Sequence, residues 1–326
     1  MSAKDLTGQT CRAIASTIRS VLDRHKIRLA DSLLAEQLDE AEWLGTFDGN
    51  VFTSAAWSEE YQDRTIEAVA KVIRLKRVAW ALTTCADLPG FSTRARALRQ
   101  LRVRIAAPQG ARDDEQAAGH AWDILFELEI AAQLTNGPFE ISLEEPDVVA
   151  RVRGSDAAMG LACKRPRCVR AVSGAIGSAI RQVADSKLPG LAVLSLDLLL
   201  PTAPKNWIIL DHNRECDRAC DMVVGEAMSK ISGGVGSALA LAADRSPHGT
   251  RAFGGVVGFA NVIVMAGLDC GRRYVNTKAI AQVIPIMTVG HSAEVVSLIR
   301  RTLELGQGEY RRDEWLEPAS STGPAA

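Results

Sequence analysis

The chain predicts a mixed α/β fold, with an α-β-β-β-α-β core behind an added N-terminal helical domain. Three observations carry that prediction. Apolar residues recur at intervals of three and four from residue 1 to about 105. After Asn136-Gly137-Pro138 the pattern changes to period two, and strand-like and helix-like stretches then follow one another. The 326 residues allow about two domains at roughly 150 residues each, and an apolar fraction of 47% is enough to give each a core.

In the first half, Ile14, Ile18, Val21 and Leu22, then Leu33, Leu34 and Leu38, then Ile66, Val69, Val72, Ile73 and Val78 mark successive amphipathic helices. Asp87-Leu88-Pro89-Gly90 breaks the pattern, and Ser92 or Thr93 is suited to cap the Arg-rich helix that follows. Ala107-Pro108-Gln109-Gly110 predicts a boundary between a helical domain over 1–108 and an α/β domain over 109–306. A helix is expected from about Asp113 to Leu134, ended by a C-cap signal and a breaker at Asn136-Gly137-Pro138. Phe139 to Leu143 alternates with period two, Asp147 to Arg153 is β-branched, and Gly154-Ser155-Asp156 turns the chain into a third strand, Met159 to Lys164. A second helix, Val169 to Ser186, precedes Leu191 to Leu200, an apolar run expected to be a strand buried on both faces. Farther on, the pattern predicts a helix over Cys216–Ala243 interrupted by glycines, buried strands over Gly255–Met265 and Ile280–Val289, and a helix over Ala293–Leu305. Residues 307–326 are polar and expected to form a disordered tail.

Charge narrows the function classes. Lys plus Arg (38) nearly cancels Asp plus Glu (39), which excludes a uniformly basic, histone-like protein and an acidic solvating one, so any nucleic-acid surface must be local. The charges are sorted along the chain. Residues 71–104 carry nine basic groups against Asp87 alone, 105–147 set Arg112 against ten acids, and 151–187 return to eight basic and two acidic. An acidic block between two basic ones suits a metal site inside a groove for an anionic substrate, the alternative being solvated helix faces.

Other chemistries are set aside. The longest apolar run, Ala252 to Leu268, is broken by glycines and falls short of the ~20 residues that cross a bilayer, so no membrane span is expected. Met1-Ser2-Ala3-Lys4-Asp5 does not read as a secretion signal, and a cytoplasmic location is expected. Seven cysteines fit free thiols better than a disulfide framework. His212, Cys216 and Cys220 at i, i+4 and i+8 would span about 12 Å of helix, too far for one zinc, and Cys163 and Cys168 lack a second ligand pair. Ile231-Ser232-Gly233-Gly234-Val235-Gly236-Ser237 lacks the Gly-Lys-Ser/Thr ending of a phosphate loop and reads as a helix interruption or a close-packing site. His25, His248 and His291 have no triad-like companions that the sequence establishes.

Four polar residues fall at matched places on the core. Glu127 lies midway along the first helix in Phe126-Glu127-Leu128-Glu129-Ile130, Asp147 follows Pro146 and opens the second strand, Lys164 ends the third, and Gln182 follows Arg181 on the second helix. Singly they read as an exposed helix Glu, a turn Asp, an edge-strand Lys and a surface Gln. Together they match the needs of phosphodiester cleavage: hard oxygen ligands for Mg²⁺ at the scissile phosphate, and a cation that orients the nucleophile and stabilises developing charge.

Pro146-Asp147, followed 17 residues later by Lys164 after a hairpin, resembles the PD-(D/E)xK nuclease superfamily, the restriction-endonuclease-like fold, over roughly residues 112–200. The resemblance implies that Glu127 is the first-helix carboxylate, Asp147 the central metal ligand, Lys164 the catalytic lysine and Gln182 the second-helix polar residue, with Mg²⁺ or Mn²⁺ as cofactor. One position departs from the pattern. The acid two residues before the lysine is replaced by Ala162, so metal would rest on Glu127, Asp147 and a main-chain carbonyl, that of Cys163, Glu129 or Glu145. Arg165, Arg167 and Arg170, with Arg94, Arg96, Arg99, Arg102 and Arg104, are candidates for a phosphate-backbone groove, and His120 lies two helical turns from the site. An aromatic content of 5% argues against a base-stacking platform and favours duplex. The expected function is a divalent-metal-dependent endonuclease acting on DNA; the alternative is a weakened or inactive nuclease-like domain that binds nucleic acid or a protein partner.

Overall fold

Thr7 opens the first helix by accepting a hydrogen bond on its side-chain oxygen from the Thr10 N–H at 3.1 Å. In the computed structural model, which describes residues 6–29, 33–51, 54–57, 60–96, 98, 119–200, 207–210, 216–245, 253–267, 273–285 and 291–309, that helix is α1 (Gly8–Arg24). It buries Ile14, Ile18 and Leu22, the stripe set by the three-four spacing. Helices α2 (Leu33–Leu44) and α3 (Gln62–Cys85) pack with it, and a short helix α4 (Phe91–Ala95) follows.

The start of α4 differs from expectation. Its N-cap is Gly90 rather than Ser92 or Thr93, which lie inside the helix. Gly90 has φ of +85°, and a Cβ on it would collide with the Leu143 carbonyl oxygen, so the cap is set by a left-handed backbone and a close approach. Most of the expected Arg-rich continuation, and the boundary near residue 108, lie outside the described residues.

The core then runs in the order α-β-β-β-α-β. Helix α5 (Gly119–Thr135) is followed by β1 (Phe139–Ser142), β2 (Val148–Val152), β3 (Ala158–Lys164), α6 (Val169–Ser186) and β4 (Gly190–Ser195). Residues 113–118 of the expected first helix lie outside the described residues. Strand β4 ends earlier than the apolar run suggested. Leu196 to Leu200 form a turn that buries Leu196, Leu199 and Leu200, and in it the Leu196 N–H donates to the Phe259 carbonyl at 2.7 Å. Apolarity there reports burial and not conformation.

Strands β5 (Trp207–Leu210), β6 (Phe253–Gly267) and β7 (Arg273–Pro285) complete a mixed, seven-stranded sheet. β1 pairs with β2 and β2 with β3 antiparallel, whereas β3 pairs with β4 and β4 with β6 parallel. β7 pairs along β6 from Gly255↔Pro285 to Gly267↔Arg273, so it begins well before the expected Ile280. Helix α7 (Cys216–Arg245) runs unbroken through Gly233, Gly234 and Gly236, where an interruption was expected. Gly234 faces α6, and a Cβ there would stand 3.4 Å from Val172 Cγ1, so its smallness serves helix packing. Helix α8 (His291–Glu309) extends past the expected end and takes in residues 307–309, which composition had placed in the tail; the rest of that tail lies outside the described residues.

Side chains alternate between the two faces of the sheet. Leu161, Leu191, Val193, Val257 and Phe259 join a cluster with α5, α8 and the N-terminal helices, including Ile14, Leu38, Val72 and Leu82. Ala162, Ala192, Leu194 and Val256 join a second cluster with α6 and α7. The N-terminal helices and one face of the sheet therefore share a continuous core through α5. Among the described residues, no helix is long and apolar enough to cross a membrane.

Candidate active site

Pro146 and Asp147 are seated by a glycine on the neighbouring strand. A Cβ on Gly160 would stand 2.7 and 2.8 Å from Pro146 Cδ and Cγ, so the bare backbone of β3 makes room for the proline ring. Asp147 is buried just before β2 begins, and its Oδ2 accepts the Cys163 N–H at 2.8 Å and Lys164 Nζ at 3.0 Å. Lys164 also donates to the Cys163 carbonyl at 3.0 Å. From α6, Gln182 Nε2 donates to the Pro146 carbonyl at 3.1 Å and lies 3.4 Å from Asp147 Oδ1. The structure thus brings Asp147, Lys164 and Gln182 together from three elements, at the rim where β2 starts and β3 ends.

Glu127 approaches from α5, 5% exposed. Its Oε2 accepts no hydrogen bond. Arg94 of α4 stands beside it, with Nη1 3.3 Å from Glu127 Oε2 and 3.7 Å from Asp147 Oδ1. Arg94 was expected in an exposed groove for phosphates; it sits instead between the two carboxylates. Its Nη2 lies 3.9 Å from the exposed Glu145.

Burial and the neighbouring Asp147 push the Glu127 carboxyl up to about 8, against the opposing pull of Arg94 and Lys164. Burial raises Asp147 as well, but Lys164, Arg94 and the Cys163 N–H favour its charged form. Glu127 is thereby pushed toward its neutral form, and its Oε2 lacks a hydrogen-bond donor that would favour the charged one. The Cys163 thiol is raised well above the ordinary range by burial and then by Asp147 and Glu127, so it stays protonated at neutral pH. The Cys163 side chain packs in the first cluster, whereas its carbonyl is turned to the site and accepts from Lys164 Nζ.

The other predicted residues are distributed around this rim. Arg165, half-buried, lies over the Trp122 ring with its guanidinium carbon 5.6 Å from the centroid. Arg96, Arg167 and Arg170 are exposed, whereas Arg99, Arg102 and Arg104 and the His120 side chain lie outside the described residues. The Glu129 carboxylate is engaged away from the site: it accepts hydrogen bonds from Arg77 of α3 at 2.9 and 2.6 Å. Cys220 is buried in the second cluster, and His212 lies outside the described residues. Among the described residues, no group of three or more His, Cys, Asp or Glu is arranged to hold a metal.

Ala162 has a geometric meaning. Continuing the register Val148↔Leu161 by one residue sets Asp147 across from Ala162. An acid at 162 would stand opposite Asp147 on the face that carries Lys164. Here that position is a fully buried methyl group within the second cluster.

Sequence reasoning missed the inward aim of Arg94 and the pairing of Arg165 with Trp122, and neither carries a local signal. No protein-family model, curated protein or solved structure matches the chain.

Proposed function

We propose that this protein is a divalent-metal-dependent nuclease built on a restriction-endonuclease-like core. One observation supports the reading above the others: Glu127, Asp147, Lys164 and Gln182 come from four elements of the α-β-β-β-α-β order and meet at one rim. Glu127 Oε2 and Gln182 Oε1 are buried acceptors without a hydrogen-bond partner. Such oxygens, with Asp147 Oδ1, form a donor set of the hard type that suits Mg²⁺ or Mn²⁺. Glu127, Asp147 and the Cys163 carbonyl would hold the ion.

When bound, the ion supplies Lewis-acid polarisation of a phosphoryl oxygen. The protein groups do the remaining work. Lys164 Nζ, held by Asp147 Oδ2 and the Cys163 carbonyl, offers a cation to orient a water oxygen toward phosphorus and to stabilise charge that develops as the P–O bond breaks. Gln182 fixes the Pro146-Asp147 backbone through its bond to the Pro146 carbonyl. Arg96, Arg165, Arg167 and Arg170 supply positive charge for the phosphate backbone, with duplex DNA as the proposed substrate.

The test is cleavage of labelled duplex DNA, single-stranded DNA and RNA with Mg²⁺ or Mn²⁺ by the parent, Asp147→Ala and Ala162→Glu chains. Cleavage by the parent that disappears in Asp147→Ala is the expected result. Cleavage retained in a folded Asp147→Ala would refute the assignment. A second reading, a nuclease-like domain that only binds nucleic acid, is favoured by Ala162 opposite Asp147. It predicts parent and Asp147→Ala inactive, with nucleic-acid binding kept in both.

A further inference from the structure

The charge contacts of Arg94 are loose where those of Arg77 are tight. Arg77 meets one carboxylate through hydrogen bonds of 2.9 and 2.6 Å. Arg94 Nη1 stands 3.3 Å from Glu127 Oε2, which accepts no hydrogen bond, and 3.7 Å from Asp147 Oδ1, beyond hydrogen-bonding reach. A guanidinium that clamps a carboxylate does so through two parallel N–H groups. Arg94 instead places one nitrogen between two carboxylates from different elements, the position a shared cation takes.

The backbone behind Arg94 is firmly held. Gly90 packs against the Leu143 carbonyl, the Leu143 N–H donates to the Pro89 carbonyl at 2.9 Å, and Phe91 and Ala95 are buried. The side chain has a way out. It is 20% exposed, and its third charge contact is with Glu145, whose side chain is 73% exposed.

We propose that Arg94 is a built-in competitor of the divalent ion: while no ion is bound its guanidinium stands between the Glu127 and Asp147 carboxyls and offsets the negative charge the pair carries, and it swings toward Glu145 when an ion enters. This rests on the reading of Glu127 and Asp147 as ion ligands. Its consequence is that ion affinity is set partly by the work of displacing a tethered cation, so removing that cation tightens binding.

The measurement is Mn²⁺ binding to the full chain without nucleic acid, followed by the electron paramagnetic resonance of free Mn²⁺. The variants are Arg94→Gln, Arg94→Lys, Arg94→Gln with Asp147→Asn, and Arg181→Gln, with thermal melts to verify folding. Arg94→Gln is expected to lower the Mn²⁺ dissociation constant at least tenfold, and Asp147→Asn on top of it to abolish binding. Arg181→Gln removes an exposed charge next to Gln182 on α6 and is expected to change affinity less than threefold; an effect equal to that of Arg94→Gln would overturn the proposal in favour of a general field. If the parent binds and cleaves with Mn²⁺ but Arg94→Gln binds no more tightly, the competitor role fails and the nuclease reading stands. If no variant takes up Mn²⁺, both fail. Should Arg94→Gln not fold, Arg94→Lys decides, with affinity at least threefold above the parent in support and equal or weaker affinity against.

Discussion

Arg77 and Glu129 close a buried, two-pronged ion pair across the interface of α3 and α5, with side chains only 16% and 10% exposed. Glu129 stands two residues from Glu127, roughly 200° around the helix, so the residue that anchors α5 and the residue that serves the site point apart. Removing one partner takes the two-pronged contact from a charge largely withdrawn from solvent. Glu129→Ala is expected to destabilise the chain by about 3–5 kcal/mol, measured by urea unfolding. The double change Arg77→Met with Glu129→Leu is expected to recover most of that loss, because both charges leave the interface together.

Lys164 offers a separate test. Lys164→Met keeps both carboxylates and removes the ammonium bonded to Asp147 Oδ2. Single-turnover cleavage is expected to fall by about 10²-fold or more, the scale of a positioned acid–base group, while Mn²⁺ binding persists. Loss of Mn²⁺ binding together with cleavage would assign Lys164 to holding the site in shape.

The Glu127 carboxyl sets a pH dependence of stability in the protein without metal. Its ordinary value is 4.5, and in the folded chain it is pushed up to about 8. Between those values the native state holds a proton that the unfolded chain has released. The stabilisation is full below 4.5 and is lost as pH rises through about 8. One proton limits the slope to about 1.4 kcal/mol per pH unit. Asp147, also raised, acts in the same sense. Urea midpoints near pH 6 and pH 8 are expected to fall for the parent and to fall less for Glu127→Gln; equal slopes would place the proton on another group.

Gly90 is a further point of sensitivity. Its left-handed φ and its contact with the Leu143 carbonyl leave no room for a methyl group. Gly90→Ala is expected to destabilise by about 1–3 kcal/mol from backbone strain alone. A thermal melt checks the stability, and Mn²⁺ titration reports whether α4 has shifted Arg94.

The sequence made the site's chain order legible and left its electrostatic centre hidden. Asp147, Lys164 and Gln182 were readable because each belongs to an element with a clear local period, ended by a turn or cap, and α6 was bounded from Val169 to Ser186 by that logic. Arg94 belongs by sequence to the same basic run as Arg96 and Arg99, and nothing in that run separates an inward arginine from an outward one. Its aim comes from Gly90 packing on Leu143, a contact between segments far apart in the chain. The glycines of α7 misled for a related reason: their cost in helix propensity is small beside the packing of α7 against α6. The register that sets Ala162 opposite Asp147 was invisible as well, since only strand pairing defines it.

From Ile124 to Leu134 every side chain of α5 is buried, which leaves that stretch without a solvent face. Its neighbours are α3 on one flank and β1, β2, β3 and α8 on others. The helix is thus a party wall between the two halves of the chain. A fragment started near residue 109 would keep the α-β-β-β-α-β elements yet lose one side of that wall, and each leucine or isoleucine so uncovered forfeits about 1.5–3 kcal/mol. The means of burying the helix that carries Glu127 therefore lies in the first hundred residues, and the site depends on them for its position even though only one of its side chains comes from there.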